Sequence, residues 1–241
     1  MKFGIGFFPD GGPDRISARQ YFEEALALAE RADALGYDSV KMVEHHFTSY
    51  GGYSPDPSVF LAACAQRAPR MRMVTGAVLP AFNHPLKLAG QLAMLDALCG
   101  GRLDVGVARA FMPYEFDGFG VSMEESRPRF EEGILALRRL WTEERVTFEG
   151  RFHRFRDVTV LPRPTQTGLV MMVLHLYVAP TSREAREEGR PYIEQYLHNF
   201  RASARAWTGR QSGQYGLLRA RADAGRDHLR PGARRDPRDH R

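Results

Sequence analysis

Ser39-Val40-Lys41-Met42-Val43-Glu44-His45-His46-Phe47 joins a short apolar run to one carboxylate and two adjacent imidazoles. The run has the length of a strand, and a loop rich in Gly, Tyr and Pro follows it. The three ionisable groups therefore stand at the end of a buried strand. Before the run, Ser17 to Leu35 carries Tyr21, Phe22, Ala25, Leu28, Ala29, Ala32 and Leu35 at helical spacing, and Gly36 follows as a C-terminal cap. After the loop, Asp56-Pro57 reads as an N-cap with Pro at the first helical position, which begins a helix to about Arg67. Helix, strand, polar loop and helix in this order are the repeating unit of an α/β fold with a parallel sheet.

The unit recurs outward in both directions. Lys2–Phe8, Arg72–Leu79 and Leu103–Val107 are the other strand candidates of the first half. Pro85–Leu98 is a helix with Leu88, Leu92 and Leu95 inward, and Glu124–Thr142 is a helix with Phe130, Ile134, Leu137 and Trp141 on one stripe. Val146–Phe148 and Phe152–Phe155 flank Glu149-Gly150-Arg151 as a hairpin. Further on, Val158–Leu161 and Val170–Val178 are strand candidates. Thr181 and Glu184 match a capping box at a helix start, and Gly189 and Pro191 interrupt that helix before Tyr192–Phe200. An eight-fold β/α barrel takes about 250 residues, with about 200 as a lower limit. The expectation is a β/α barrel domain over residues 1–200, compacted or lacking units of its second half, followed by a separate segment 201–241.

Composition separates that last segment. Residues 201–241 hold 11 Arg, no Lys and 4 Asp, whereas the first 200 residues carry 23 basic and 25 acidic side chains. The whole-chain charge of +5 thus resides in the tail, and the body is no polyanion binder. After Tyr215 the tail has no aromatic residue to stack on bases, so it reads as a disordered extension rather than a nucleic-acid arm. The abrupt change in composition is also what a shifted reading frame produces. Cys64 and Cys99 lack metal-type spacing, which points to a reducing, cytoplasmic setting. The N-terminal apolar run is too short for a signal peptide, and the stretch Leu169 to Ala179 falls short of the ~20 residues of a membrane span.

Three strand ends carry chemistry. Side chains alternate along extended backbone, so at most one of His45 and His46 faces the mouth of a barrel. An imidazole there suits general acid/base work near neutral pH. A loop anchor, with Glu44 fixing the imidazoles, stands level with that reading on the motif alone. A metal held by Glu44, His45, His46 and His84 is a third reading, weakened because adjacent histidines do not easily share one ion. At the third strand end, Gly76 and Ala77 would let a flat ligand approach the backbone, or simply pack against a helix. At the fourth, Arg109 is an anchor for a phosphate or carboxylate, or half of a surface ion pair.

Six strings recur in the order found in one family: Val43-Glu44-His45-His46-Phe47; His84-Pro85-Leu86-Lys87-Leu88-Ala89; Leu95-Asp96-Ala97-Leu98-Cys99-Gly100-Gly101-Arg102-Leu103; Gly106-Val107-Ala108-Arg109; Glu115-Phe116-Asp117-Gly118-Phe119-Gly120; and Leu161-Pro162-Arg163-Pro164. Together they make residues 1–164 resemble the bacterial-luciferase-like flavin-dependent oxidoreductases. The resemblance implies a TIM barrel, reduced FMN or a deazaflavin as cofactor, a homodimer, and a flavin reductase as supplier of reduced cofactor. Carried over residue by residue, His45 is the active-site histidine, Glu44 its support, Gly76-Ala77 the bulge behind the flavin ring and Arg109 the phosphate ligand. Ala108 stands where luciferases carry a reactive cysteine, Gly90 where the family has Glu, and Ala110 where it has Gly. After Pro164 the pattern departs further, and the resemblance implies that an internal segment of the family's second half is missing. The expected activity is that of a two-component monooxygenase acting on a small organic substrate. Two alternatives accompany it: a non-catalytic flavin-binding or partner-subunit protein, and a flavin-free barrel using His45 as acid/base.

Overall fold

The computed structural model describes residues 2–10, 12–165, 187 and 190. Four strands, β1 (Gly4–Phe7), β2 (Ser39–Met42), β3 (Arg72–Val78) and β4 (Leu103–Val107), form one parallel sheet in sequential order. Helices α1 (Ala18–Ala34), α2 (Pro57–Arg67) and α3 (Pro85–Leu98) connect successive strands. Neighbour-to-neighbour order with a helical crossover at each step is the winding of a β/α barrel, and it brings every strand's carboxyl end to one face.

Alternation along the strands sorts the layers. Val40 and Met42 point outward and are fully buried against the helices, joined by Phe7, Met73 and Leu103 from the neighbouring strands. The helices answer with Ala25, Ala29 and Ala32 of α1, Phe60, Leu61 and Cys64 of α2, and Leu88, Leu92 and Leu95 of α3. Leu28 and Leu35, expected on the buried face of α1, are exposed. At about 100° per residue they step past the edge of the arc centred on Ala25 and Ala29. Replacing Leu92, 1% exposed, with Ala removes packing that this layer cannot collapse to refill. The expected loss is about 2–5 kcal/mol in urea unfolding at unchanged m-value; a loss below about 1 kcal/mol would mean that α3 does not carry the core.

The N-cap expected at Asp56 forms, and Ser17 and His84 cap two further helices. Ser17 accepts from Gln20 N at 3.2 Å, Asp56 accepts from Ser58 N at 2.9 Å, and His84 Nδ1 accepts from Leu86 N at 3.3 Å. His84 is thus a cap of α3, not a member of the His45–His46 cluster. Two elements depart from expectation. A seven-residue helix, α4 (Pro113–Phe119), is too short to show a period in sequence. The long helix expected from Glu124 begins instead as a 3-10 turn over Met123–Glu125 and continues as α5 (Ser126–Thr142).

The hairpin forms as β5 (Val146–Glu149) and β6 (Arg154–Val158), antiparallel, with Phe148 stacked on Phe155 at 5.4 Å. Glu132 of α5 holds its turn by accepting the backbone N–H groups of Arg151, Phe152 and His153 at 2.8–3.0 Å. Val158 closes β6, so the separate strand expected at Val158–Leu161 does not form. Thr165 then donates through N and Oγ1 to the buried Asp96 at 2.7 and 2.5 Å, next to Gly101, just before β4 begins. The chain is thereby delivered to the amino end of the sheet beside β4. The calls made on Val170–Val178, on the helix from Thr181, on Tyr192–Phe200, on the domain limit at 200 and on the tail 201–241 lie outside the described residues. Among the described residues, no helix is long and apolar enough to cross a membrane.

Candidate active site

The loop after β2 closes on itself. Ser54 Oγ donates to Val43 O at 2.6 Å, His45 N donates to Ser54 O at 3.0 Å, and Ser54 N donates to Gly51 O at 2.9 Å. Gly51, at φ +72, brings its backbone against the His45 ring, and a Cβ there would meet Cδ2 at 2.8 Å. Phe8, Tyr50 and Phe111 set their rings edgewise to the same imidazole, at 5.6, 5.0 and 6.0 Å. His45 is consequently 8% exposed and held from several sides.

Alternation sends Glu44 and His46 the other way. Glu44 does not support His45, as the resemblance implies, but pairs with His46 Nε2 at 3.2 Å. The same carboxylate accepts from Leu79 N and Asn83 Nδ2, both at 2.9 Å, and so staples the loop after β2 to the loop after β3. Burial pushes the Glu44 carboxyl above its ordinary range, against the hydrogen bonds from His46, Leu79 and Asn83, which favour its charge. A raised native pKa means that the folded chain binds more protons than the unfolded chain as pH climbs through this window. Stability relative to Glu44→Gln is therefore expected to fall as pH rises from the usual carboxylate range through the raised value. Parallel stability curves for the two proteins would contradict this.

His45 has a partner that sequence reasoning assigned no role. Glu115 on α4, fully buried, places Oε1 3.0 Å from His45 Nδ1 and accepts the His46 backbone N–H at 2.9 Å. Its Oε2 has no hydrogen-bond partner among the described residues. The signal in sequence is a lone acid inside the apolar run Phe111-Met112-Pro113-Tyr114-Glu115-Phe116. An acid in such a run is one that must be buried with a partner.

A cavity of about 270 Å³ opens at the carboxyl ends of the strands, and Glu44, His45, Gly76, Ala77, Arg109 and Glu115 all line it. The sequence-predicted residues thus meet at one place, although Glu44 is bonded there to His46, Leu79 and Asn83 rather than to His45. The Gly76–Ala77 peptide bond is cis, and the β3–β4 pairing shifts register between Thr75 and Val78. Thr75 Oγ1 bridges this irregularity, bonding to both the N–H and the carbonyl of Gly106 at 2.9 Å. Gly106 lies so close to Thr75 O that no side chain fits, and at Gly76 the place of a Cβ is taken by the methylenes of Lys41. Burial lowers the Lys41 pKa.

These walls fit a flat ring with an anionic tail. Gly76, Ala77, Val74 and Ala108 offer no bulky side chain, and Arg109 is exposed with no ion-pair partner among the described residues. The volume lies just under the ~300–1,000 Å³ usual for small-molecule sites, enough for a ring system with its tail outside. Ala108 presents a methyl group, so no thiol acts at that position. Among the described residues no group of three or more His, Cys, Asp or Glu is placed to hold a metal ion.

Comparisons with known proteins point the same way. A family described as luciferase-like monooxygenase matches residues 1–185. The crystal structure of monooxygenase RslO1 from Streptomyces bottropensis superposes with a TM-score of 0.69 at 51% identity, over 86% of this chain and 66% of that one. The oxygenating constituent of 3,6-diketocamphane monooxygenase from Pseudomonas putida, in complex with FMN, gives a TM-score of 0.62 at 26% identity, over 67% of this chain and 45% of that one. An F420-dependent glucose-6-phosphate dehydrogenase from Intrasporangium calvum is 36% identical over 162 residues, 63% of this chain and 48% of that enzyme. The chain spans about half the length of the curated relatives it matches.

Proposed function

Because this chain belongs to the luciferase-like monooxygenase family, we propose that it is the oxygenase component of a two-component monooxygenase using reduced FMN and molecular oxygen on a small organic substrate. The observation that carries this reading is the convergence of His45, Gly76-Ala77 and Arg109 on one cavity at the strand ends. Reduced flavin, when bound, supplies the two electrons that divide O2 between product and water. His45 moves protons at the cavity, the small residues of β3 and β4 admit the ring, and Arg109 holds the phosphate. The aromatic rings of Phe8, Tyr50 and Phe111 keep water away from the imidazole.

FMN is favoured over a deazaflavin by the FMN complex of the diketocamphane enzyme, while the F420-dependent relative keeps deazaflavin as the competing cofactor. A separate flavin reductase follows from the role of an oxygenating constituent. A homodimer is part of the proposal. Val59, Met94 and Leu98 are exposed on α2 and α3, which lie side by side through Gln91–Asp56 and Gln66–Leu98 hydrogen bonds. The buried free cysteines Cys64 and Cys99 agree with a cytoplasmic setting.

The test supplies the purified chain with FMN, a flavin reductase, ¹⁸O2 and a panel of ketones, aldehydes and aromatic compounds. One labelled oxygen atom per product molecule is expected, and none with F420 in place of FMN. Label absent from every product, with reduced FMN bound, would favour the second reading, a flavin-binding protein without catalysis. What favours that reading is Arg109 as the one described cation lining the cavity. A charge-assisted hydrogen bond supplies about 1.5–3 kcal/mol against the ~8 kcal/mol of micromolar affinity, so the ring must contribute most of the binding.

A further inference from the structure

We propose that Glu115 is the positioning residue of this site: it fixes His45 as the Nδ1–H tautomer and thereby aims an unprotonated Nε2 into the cavity. The proposal rests on the flavoenzyme reading only for the use made of that base. Two nitrogens converge on Glu115 Oε1. One is the His46 backbone N–H at 2.9 Å, which makes this oxygen an acceptor; the other contact is His45 Nδ1 at 3.0 Å. A carboxylate offers only acceptors, and this oxygen already accepts from an amide, so Nδ1 carries the proton and the lone pair lies on Nε2. His45 lines the cavity, and its Nε2 makes no hydrogen bond among the described residues.

The ring cannot escape this assignment by flipping. Gly51 backbone closes on Cδ2, and the rings of Phe8, Tyr50 and Phe111 pack around the imidazole. Glu44 cannot substitute for Glu115, because it is committed to His46, Leu79 and Asn83. Glu115 reaches the site from α4, whose start at Pro113 follows Met112, itself fully buried, so the carboxylate arrives on a packed element. It lines the cavity beside His45, itself fully buried, and acts through that imidazole. Gln can take its place without a clash: the amide oxygen occupies the Oε1 position, and the NH2 group falls at Oε2, where no described donor competes.

The experiment is ¹⁵N NMR of the 241-residue chain labelled at histidine, without flavin, with His45→Asn identifying the His45 signals. The neutral wild-type ring is expected to be about nine-tenths or more Nδ1–H. Glu115→Gln keeps that tautomer, because its amide oxygen still accepts. Glu115→Leu loses it, with the Nδ1–H share dropping to less than about half. A neutral wild-type His45 protonated on Nε2 overturns the proposal, and so does a Glu115→Leu protein with an unchanged tautomer. If Glu115→Leu does not fold, the wild-type tautomer decides alone. No flavin enters the measurement, so a chain that fails to bind FMN leaves this result standing.

Discussion

His45→Asn lowers oxygen transfer by about 10²–10⁴-fold while FMN binding and unfolding midpoint stay near those of the wild type. Asn at this position can still accept or donate one hydrogen bond toward Glu115, and the ring of Phe8, Tyr50 and Phe111 loses only one edge contact each. What disappears is the one imidazole among the described residues that lines the cavity. The steady-state rate of labelled product, measured at saturating reduced FMN, checks this. Equal rates in the two proteins would remove His45 from the chemistry and leave it as a packing residue of the loop after β2.

Arg109→Ala weakens FMN by about 10–150-fold, the equivalent of the ~1.5–3 kcal/mol carried by a charge-assisted contact to phosphate. Arg109 stands on the rim, exposed and without an ion-pair partner among the described residues, so its removal leaves no buried charge behind and does not disturb the fold. Riboflavin supplies the control, since it has the ring without the phosphate. Its affinity is expected to be unchanged by the substitution. An equal loss for FMN and riboflavin would mean that Arg109 shapes the cavity rather than holding an anion, and the tail of the cofactor would then need a different anchor.

The fold was legible wherever a period ran long enough to be counted. The α3 and β4 boundaries agree with the apolar pattern to the residue, and Asp56-Pro57 marks the start of α2. Short or long-range features were not. A seven-residue α4 has too few turns to reveal a face, and Leu28 was assigned to the core because hydrophobicity alone does not say where a buried arc ends. Alternation separated the two histidines, since His45 lines the cavity and His46 turns to Glu44. The partner of His45 was not legible, because Glu115 lies 70 residues away in sequence and is brought to it only by the β4–α4 connection. Glu44, adjacent to His45 in sequence, was the natural candidate. In extended backbone the adjacent residue is the one that points elsewhere.

The same geometry explains how the site's residues divide their work. Glu44 is spent on the scaffold, tying the β2 and β3 loops together through Leu79 and Asn83. Glu115 orients, His45 faces the ligand space, and the cis peptide of Gly76–Ala77 presents backbone where other residues would present side chains. Each of these assignments converges on the cavity that we propose takes a reduced flavin.

The most direct measurement is therefore anaerobic titration of the 241-residue chain with chemically reduced FMN, followed by calorimetry. Binding with a dissociation constant of about 10 μM or tighter is predicted, with one FMN per chain and a clear loss in Arg109→Ala. No binding of reduced FMN at a concentration of about 1 mM would contradict the account.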